Sequence, residues 1–587
     1  MTAFDDTVHV YLDHLYGPRA TEVQRRLNQR LAHFCPASEP QLSIEQQGQR
    51  APSWSEKDQW LITYGDSIVD DPAPPLAVLD DFLQARLGER ISGVHVLPFF
   101  PWSSDDGFSV IHYREVNPDL GDWQHIQTLA RHYDLMADLV LNHVSRESLW
   151  FVDYLSGSLP GRDYFIEVDP DTDVSAVVRP RSSPLLVPIS TRRGTRYLWA
   201  TFSEDQLDLN FENPDVLLEF VGILLFYLEQ GTRIVRLDAV AFLWKRLGTN
   251  CIHLPETHTV VRLLRAIVDH LAPGTLLITE TNVPHHENIS YFGLDRLADG
   301  PPDEAHMIYQ FTLPPLLLHT LTRGETHTLQ GWLASLPPLP DHCTYLNFTA
   351  SHDGIGVRPL EGLLPDHERD ALLELMHRFG GFVSMRSNPD GSDTPYEINI
   401  TWFEAMQGTR KGPDPWQIAR FLCSQAIMLS LQGIPALYIH TLTGTLNDVE
   451  GVERSGRLRS INRRRWQRRE LDLLLDSTAT PTHDVFNALS RLLDCRRREP
   501  CFHPNAAQRV LTSYPSLLAI ERGPLANGRR LLALYNVTEV PLSFDQLGDD
   551  VQHALSSVPW QDLNARSSGQ ATDPLPPYAV RWLVHGP

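Results

Sequence analysis

The chain has 587 residues, 42% of them hydrophobic, and carries a formal net charge of −23. That length calls for more than one domain and that apolar content fills a large core, yet no run of about 18 apolar residues offers a membrane span. The acidic balance excludes a general nucleic-acid-binding surface, which has to neutralise phosphates.

Six cysteines (Cys35, Cys251, Cys343, Cys423, Cys495 and Cys501) are scattered without any CxxC spacing. They read as reduced packing residues, not as a disulfide framework or a zinc site. The N-terminus, Met1 to Asp6, is acidic and lacks the basic and apolar regions of a signal peptide, so a cytoplasmic protein is expected. The basic runs Arg463–Arg465 and Arg496–Arg498 read as solvated helix faces.

Residues 1–57 form an N-terminal helical extension. Val8, Leu12, Leu15 and Tyr16 fall at helical spacing, as do Val23, Leu27 and Leu31, which predicts two helices packed against the body of the protein. A polar linker, Ser43 to Ser55, follows. From Trp60 onward, short apolar runs ending in polar residues alternate with longer helical stretches. The runs are Trp60–Tyr64, Val94–Phe100, Leu135–Asn142, Arg233–Leu237, Thr275–Thr279, Met307–Leu313, Tyr345–Ala350 and Pro435–His440. Strands alternating with helices imply parallel βαβ units, and eight of them predict an α/β fold, a (β/α)8 TIM barrel. The barrel is assigned to residues 58–144, 216–354 and 416–505. Residues 145–215 are read as an insertion after strand three, and residues 355–415 as an insertion after strand seven, both on the catalytic face. Short alternating strands such as Leu531–Asn536 and Tyr578–Val584 predict a C-terminal β-domain over 506–587.

Active sites of such barrels lie at the C-terminal ends of the strands. Strand two leads into Ser104-Asp105-Asp106-Gly107-Phe108, strand three into Asn142-His143, strand four into Arg236-Leu237-Asp238, strand five into Glu280-Thr281-Asn282, and strand seven into His352-Asp353-Gly354. A lone aspartate at a strand end is more often a helix cap than a catalyst. Here three carboxylates, Asp238, Glu280 and Asp353, are predicted to face one bowl. Retaining cleavage of a glycosidic bond needs such equipment: one carboxylate attacks the anomeric carbon and a second, about 5–5.5 Å away, protonates the leaving oxygen. Arg236, two residues before Asp238 and on the same strand face, is expected to hold the pKa of Asp238 down. Glu280, crowded by anions, is expected to stay protonated until it donates.

The segments DLVLNH, RLDAVAF, ITETN and ASHDG resemble the four signature regions of the α-amylase family, glycoside hydrolase family 13. The resemblance implies Asp238 as nucleophile, Glu280 as acid/base and Asp353 as transition-state stabiliser, with His143 and His352 on the sugar and Arg236 supporting the nucleophile. From about residue 58 to the C-terminal domain, SDDGF, NHVSRES, RPRSSP, TFSEDQLDLN, HDGIGV, PYEIN and INRRRW are similar to segments of the sucrose phosphorylase subfamily. That likeness implies that Asp105 and Arg463 clamp a single glucosyl unit, with Phe108 and Phe202 as apolar walls and Gln206 as a polar contact. It implies phosphate contacts from Arg181 and Tyr396, and partners limited to a small sugar and inorganic phosphate. No organic cofactor and no metal are implied, and a homodimer is compatible with the family although no motif speaks for one.

Two positions depart from the sucrose phosphorylase pattern: Asn282, where a histidine is common, and Glu397, where a glutamine is common. The ETN and PYEIN versions and the N-terminal extension look closer to the glucosylglycerate phosphorylase branch. Against that stands the charge of Glu397, which would repel a glycerate carboxylate unless a cation such as Arg358 or Arg386 compensates. Sucrose is therefore the expected donor, with glucosylglycerate as the alternative and a family 13 α-glucosidase or transglucosidase as the second alternative.

Overall fold

The computed structural model describes residues 2–35, 54–181, 183–293, 301–387, 392–563 and 571–586. Eight strands close a barrel in chain order: β1 (Trp60–Thr63), β2 (Gly93–Val96), β3 (Asp134–Val140), β4 (Thr232–Asp238), β5 (Leu276–Thr279), β6 (Met307–Tyr309), β7 (Thr344–Asn347) and β8 (Ile434–Tyr438). Neighbouring strands are parallel throughout, and β8 closes on β1 with Ala436 opposite Trp60. Strands buried on both faces carry continuous apolar runs, and the runs in the sequence mark all eight. The sixth is shorter than the expected Met307–Leu313. Helix Leu313–Arg323 begins where that run ends, with prolines in its first turn, where a missing N–H leaves no helical bond unmade.

At the N-terminus, α1 (Ala3–Tyr16) and α2 (Ala20–Leu31) bury the residues their spacing selects: Val8, Leu12, Leu15, Tyr16, Val23, Leu27 and Leu31. Thr2 and Asp5 cap α1 reciprocally, the Asp5 N–H donating to the Thr2 hydroxyl at 3.2 Å and the Thr2 N–H to the Asp5 carboxylate at 2.9 Å. α1 lies against the barrel helix α3 (Pro255–Leu271), where Phe4 stacks on His270 at 4.0 Å, and α2 against the helix Pro214–Glu229, where Arg26 pairs with Asp215. Residues 43–53 of the expected linker lie outside the described residues.

Both segments that interrupt the strand–helix rhythm fold as small β-structures above the C-terminal ends of the barrel strands. The first holds a hairpin, Leu186–Thr191 with Gly194–Trp199, and a short ladder, His143–Ser145 with Gln206–Asp208. In the second, a hairpin of Phe382–Ser387 and Asp393–Asn399 adds the strand Ile355–Gly356. Of the turn Ser387–Ser392 singled out in the sequence, residues 388–391 lie outside the described residues. Near the C-terminus five antiparallel strands form a separate sheet, with Arg530–Asn536 paired to Leu517–Arg522 and Val580–His585. Tyr535 ties this sheet to the barrel by donating its hydroxyl to the Ala426 carbonyl at 3.1 Å.

Among the described residues no helix is long and apolar enough to cross a membrane. No group of three or more His, Cys, Asp or Glu side chains among them is arranged to hold a metal.

Candidate active site

Asp238 ends β4, Glu280 follows β5 directly, and Asp353 lies in the loop after β7, so the three carboxylates gather at one end of the barrel. The base of the cluster is a buried polar chain across β2, β3 and β4. His95 Nε2 meets Asp138 Oδ2 at 2.7 Å, Asp138 pairs with Arg236, and Arg236 Nη1 donates to Asp238 Oδ1 at 2.8 Å. The strand register builds this chain, since Asp138 stands opposite Arg236 and Val140 opposite Asp238. Arg236 reaches Glu280 as well, at 3.9 Å, and the Ala239 N–H donates to Glu280 Oε2 at 3.1 Å.

Arg236 does not hold Asp238 below the ordinary carboxylate range, as the sequence suggests. Burial lifts Asp238 well above that range; Arg236 pulls the other way, and Glu280, Asp138 and Asp353 add to the rise. Burial also raises Glu280, again against Arg236. Glu280 raises Asp238 and Asp353 raises Glu280, so these carboxylates titrate as one interacting cluster. The first charge belongs on Asp238, because its contact with Arg236 is a hydrogen bond of 2.8 Å and that of Glu280 is an ion pair of 3.9 Å. The proton then stays on Glu280. At Asp353 burial opposes the charge, but Arg459, His352, Arg236 and Arg463 outweigh it and hold the carboxyl below the ordinary range.

Burial lowers the pKa of His143 and takes that of His352 well below the usual imidazole value, so both rings are neutral at pH 7. Phe108 stacks on His352 at 4.9 Å, and Phe202 lies 5.2 Å from His143, which places both aromatic residues beside the carboxylates. Gln206 Nε2 donates to Asp105 Oδ2 at 3.4 Å.

Asp105 and Arg463, the expected clamp on the glucosyl unit, have different partners within the protein. Arg463 pairs with Asp106, and its Nε donates to the His352 carbonyl at 2.9 Å. Asp105 and Asp106 both sit at positive φ, 53° and 47°, in a tight turn that sends their side chains in different directions. Asp205 fixes this turn by accepting from Ser103 at 2.6 Å and Ser109 at 2.9 Å. Arg463 Nη2 is buried without a hydrogen-bond partner among the described residues, a donor free for a sugar hydroxyl.

On the opposite side the two insertions meet. The Arg181 guanidinium lies 5.5 Å from the centre of the Tyr396 ring. A small cavity beside them is lined by Glu280, Asn282, Arg358, Arg386, Tyr396 and Arg179. Arg358 pairs with Glu287 at 3.4 Å, and its buried Nε has no partner among the described residues; Arg386 pairs with Glu361 at 3.1 Å.

Glu397 does not present a free charge to this cavity. It is 1% exposed, and both its oxygens accept from Arg459, at 2.8 and 3.0 Å. The repulsion expected between Glu397 and an anionic acceptor is therefore offset by a cation other than Arg358 or Arg386. Arg459, Asp106 and Asp205 are the site residues that sequence reasoning missed. Only the position of Arg459, four residues before Arg463, gave any sign of it.

A parallel eight-stranded barrel with a buried Asp–Glu pair around one arginine, and a third carboxylate beside it, defines a barrel enzyme equipped for glycosyl transfer. Residues 84–331 match the family described as "Alpha amylase, catalytic domain". The chain is 43% identical over 577 residues to the glucosylglycerate phosphorylase of Escherichia coli strain K12, covering 98% of this chain and 99% of that protein. It is 31% identical over 468 residues to the sucrose phosphorylase of Agrobacterium vitis, covering 76% of this chain and 88% of that one. Among solved structures, sucrose 6F-phosphate phosphorylase from Thermoanaerobacter thermosaccharolyticum superposes with a TM-score of 0.71 at 25% identity, covering 83% of this chain and 95% of that one. The chain belongs to the α-amylase family, glycoside hydrolase family 13, in the branch that these phosphorylases share.

Proposed function

We propose that this enzyme is a retaining α-glucoside phosphorylase whose substrate is 2-O-α-glucosylglycerate, cleaved with phosphate to α-glucose 1-phosphate and glycerate. The observation that carries the choice of acceptor is the basic cavity beside Glu280, where Arg358 has a buried, unpartnered Nε. Fructose is neutral and offers such a cation only hydroxyl oxygens, whereas the carboxylate of glycerate offers a charged acceptor. The neutralised Glu397 removes the objection that favoured sucrose. Similarity to a glucosylglycerate phosphorylase over 98% of the chain, N-terminal helices included, supports the same reading.

In this mechanism Asp238 attacks the anomeric carbon while Glu280 gives its proton to the departing oxygen of glycerate, leaving a covalent glucosyl-enzyme. A phosphate oxygen then attacks the same carbon from the vacated face. The bond to Asp238 breaks, and Glu280 recovers a proton from the incoming phosphate when the latter carries one. Asp353 holds sugar hydroxyls, the neutral His143 and His352 bond to others, and Asp105 and Arg463 hold the far end of the glucosyl unit. Phosphate approaches a cluster of carboxylates, so it needs fixed donors; Arg181 and Tyr396 supply them.

Two variants test the anion contacts. Arg358→Ala is expected to raise the KM for glycerate in the synthetic direction by about tenfold or more, the usual worth of a charge-assisted hydrogen bond. Its fluoride release from α-glucosyl fluoride should stay near that of the parent. Equal losses in both assays would remove Arg358 from the acceptor site. Arg181→Ala is expected to raise the KM for phosphate by about tenfold or more while the KM for the glucosyl donor changes little. Parallel losses for donor and phosphate would mark Arg181 as a structural residue.

A further inference from the structure

Arg459 stands on the turn Leu458–Asn462 after β8, and one guanidinium joins three parts of the chain. Its Nη1 lies 2.6 Å from Asp353 Oδ1, in the loop after β7. Its Nε and Nη2 donate to the two oxygens of Glu397, on the hairpin of the second insertion, at 3.0 and 2.8 Å. A fork of this kind fixes direction as well as distance, which a lysine ammonium would not.

The neighbouring backbone is shaped around the pair. A side chain at Gly354 would begin 2.4 Å from Glu397 Cγ, so the glycine after Asp353 leaves the space through which Glu397 reaches Arg459. Glu397 is next in sequence to Tyr396, whose carbonyl accepts from the Val357 N–H at 3.0 Å. Glu397 itself stands opposite Gly356 in the sheet. The same contact that orients Asp353 therefore fixes the strand carrying Tyr396.

We propose that Arg459 and Glu397 are a positioning pair, which fixes the carboxylate of Asp353 toward the glucosyl ring and couples it to the placement of Tyr396. This inference rests on Asp353 acting on the glucosyl unit, and it does not depend on which acceptor leaves.

Asp353 faces Arg459 and Arg463 from the loop after β8, Arg236 and Asp238 from β4, and the adjoining His352. Glu280 after β5 and the phenols of Tyr309 and Tyr438 face it as well, while Glu397 reaches it only through Arg459. Removing the Arg459 charge takes away the strongest pull toward ionisation and leaves carboxylates that push the other way. The pKa of Asp353 then rises toward that of Asp238, which burial already lifts, and protonation of Asp353 adds to the loss of activity at low pH.

The test is the double variant Arg459→Gln, Glu397→Gln, which keeps an amide on each side and leaves no buried charge at position 397, so that Asp353 alone loses its cation. Its substrate is α-glucosyl fluoride, whose fluoride release reports only the first displacement. The expected result is a loss of about tenfold or more in kcat/KM, the scale of a lost electrostatic contact to the transition state, with the acid limb of its pH profile moved to higher pH. Arg459→Lys, which restores the charge without the fork, is expected to return the acid limb toward the parent profile while kcat stays low. An acid limb and kcat/KM like those of the parent in the double variant would overturn the proposal. Absence of fluoride release from the unaltered enzyme would instead contradict the retaining mechanism itself.

Discussion

Asp238→Asn is expected to abolish phosphorolysis, with kcat lower by about 10⁴-fold or more, roughly 5.5 kcal/mol of transition-state stabilisation. An amide in this position keeps the shape of the side chain but cannot form the glucosyl ester through a carboxylate oxygen. Its carbonyl oxygen can still accept from Arg236, which donates to Asp238 at 2.8 Å and also pairs with Asp138, so the contact loses its charge but not its geometry. The Asp138 pairing persists, so the barrel should fold, and the variant should still bind the glucosyl donor. Mass spectrometry after incubation with α-glucosyl fluoride checks the chemistry directly: the parent enzyme gains one glucosyl unit and the variant gains none. Substantial turnover by Asp238→Asn would move the nucleophile elsewhere.

The second large effect is expected at Glu280. Glu280→Gln cannot protonate a departing glycosidic oxygen, and general acid catalysis contributes about 10²–10⁴-fold, so phosphorolysis of an unactivated glucoside should fall by that factor. Fluoride leaves without a proton, so the first step with α-glucosyl fluoride should be far less affected. That split separates the acid/base from the nucleophile, whose loss cripples both donors. The geometry gives the reason for the division of labour: Arg236 binds Asp238 directly and Glu280 only at 3.9 Å, so the charge stays on one carboxyl and the proton on the other. Equal losses with both donors would reject Glu280 as the acid.

Much of this architecture is legible in the sequence because it depends on local pattern. The continuous apolar runs mark the eight strands, and the polar residues that end them, Asp238 and Glu280 above all, lie where a barrel places chemistry. The i, i+4 spacing of Val8, Leu12, Leu27 and Leu31 marks the buried faces of the first two helices. What local pattern does not carry is pairing between distant segments. Arg459 meets Glu397 across 62 positions, and nothing near either residue in the chain announces the other. Without Arg459, Glu397 reads as a bare charge in the acceptor site, and the balance tips toward a neutral acceptor such as fructose. The turn that carries Asp105 and Asp106 shows the same limit. Asp105 accepts from Gln206 while the adjacent Asp106 pairs with Arg463, a contact across 357 positions. The rise in the pKa of Asp238 is also hidden from sequence, because Arg236 is visible as a neighbour and the depth of burial is not.

The measurement that bears most directly on the proposed activity is release of α-glucose 1-phosphate from the purified protein, with phosphate and either 2-O-α-glucosylglycerate or sucrose as donor. The predicted result is rapid, phosphate-dependent release from glucosylglycerate and little from sucrose. Release from sucrose alone would contradict the glycerate assignment, and free glucose formed without any need for phosphate would contradict the phosphorylase reading altogether.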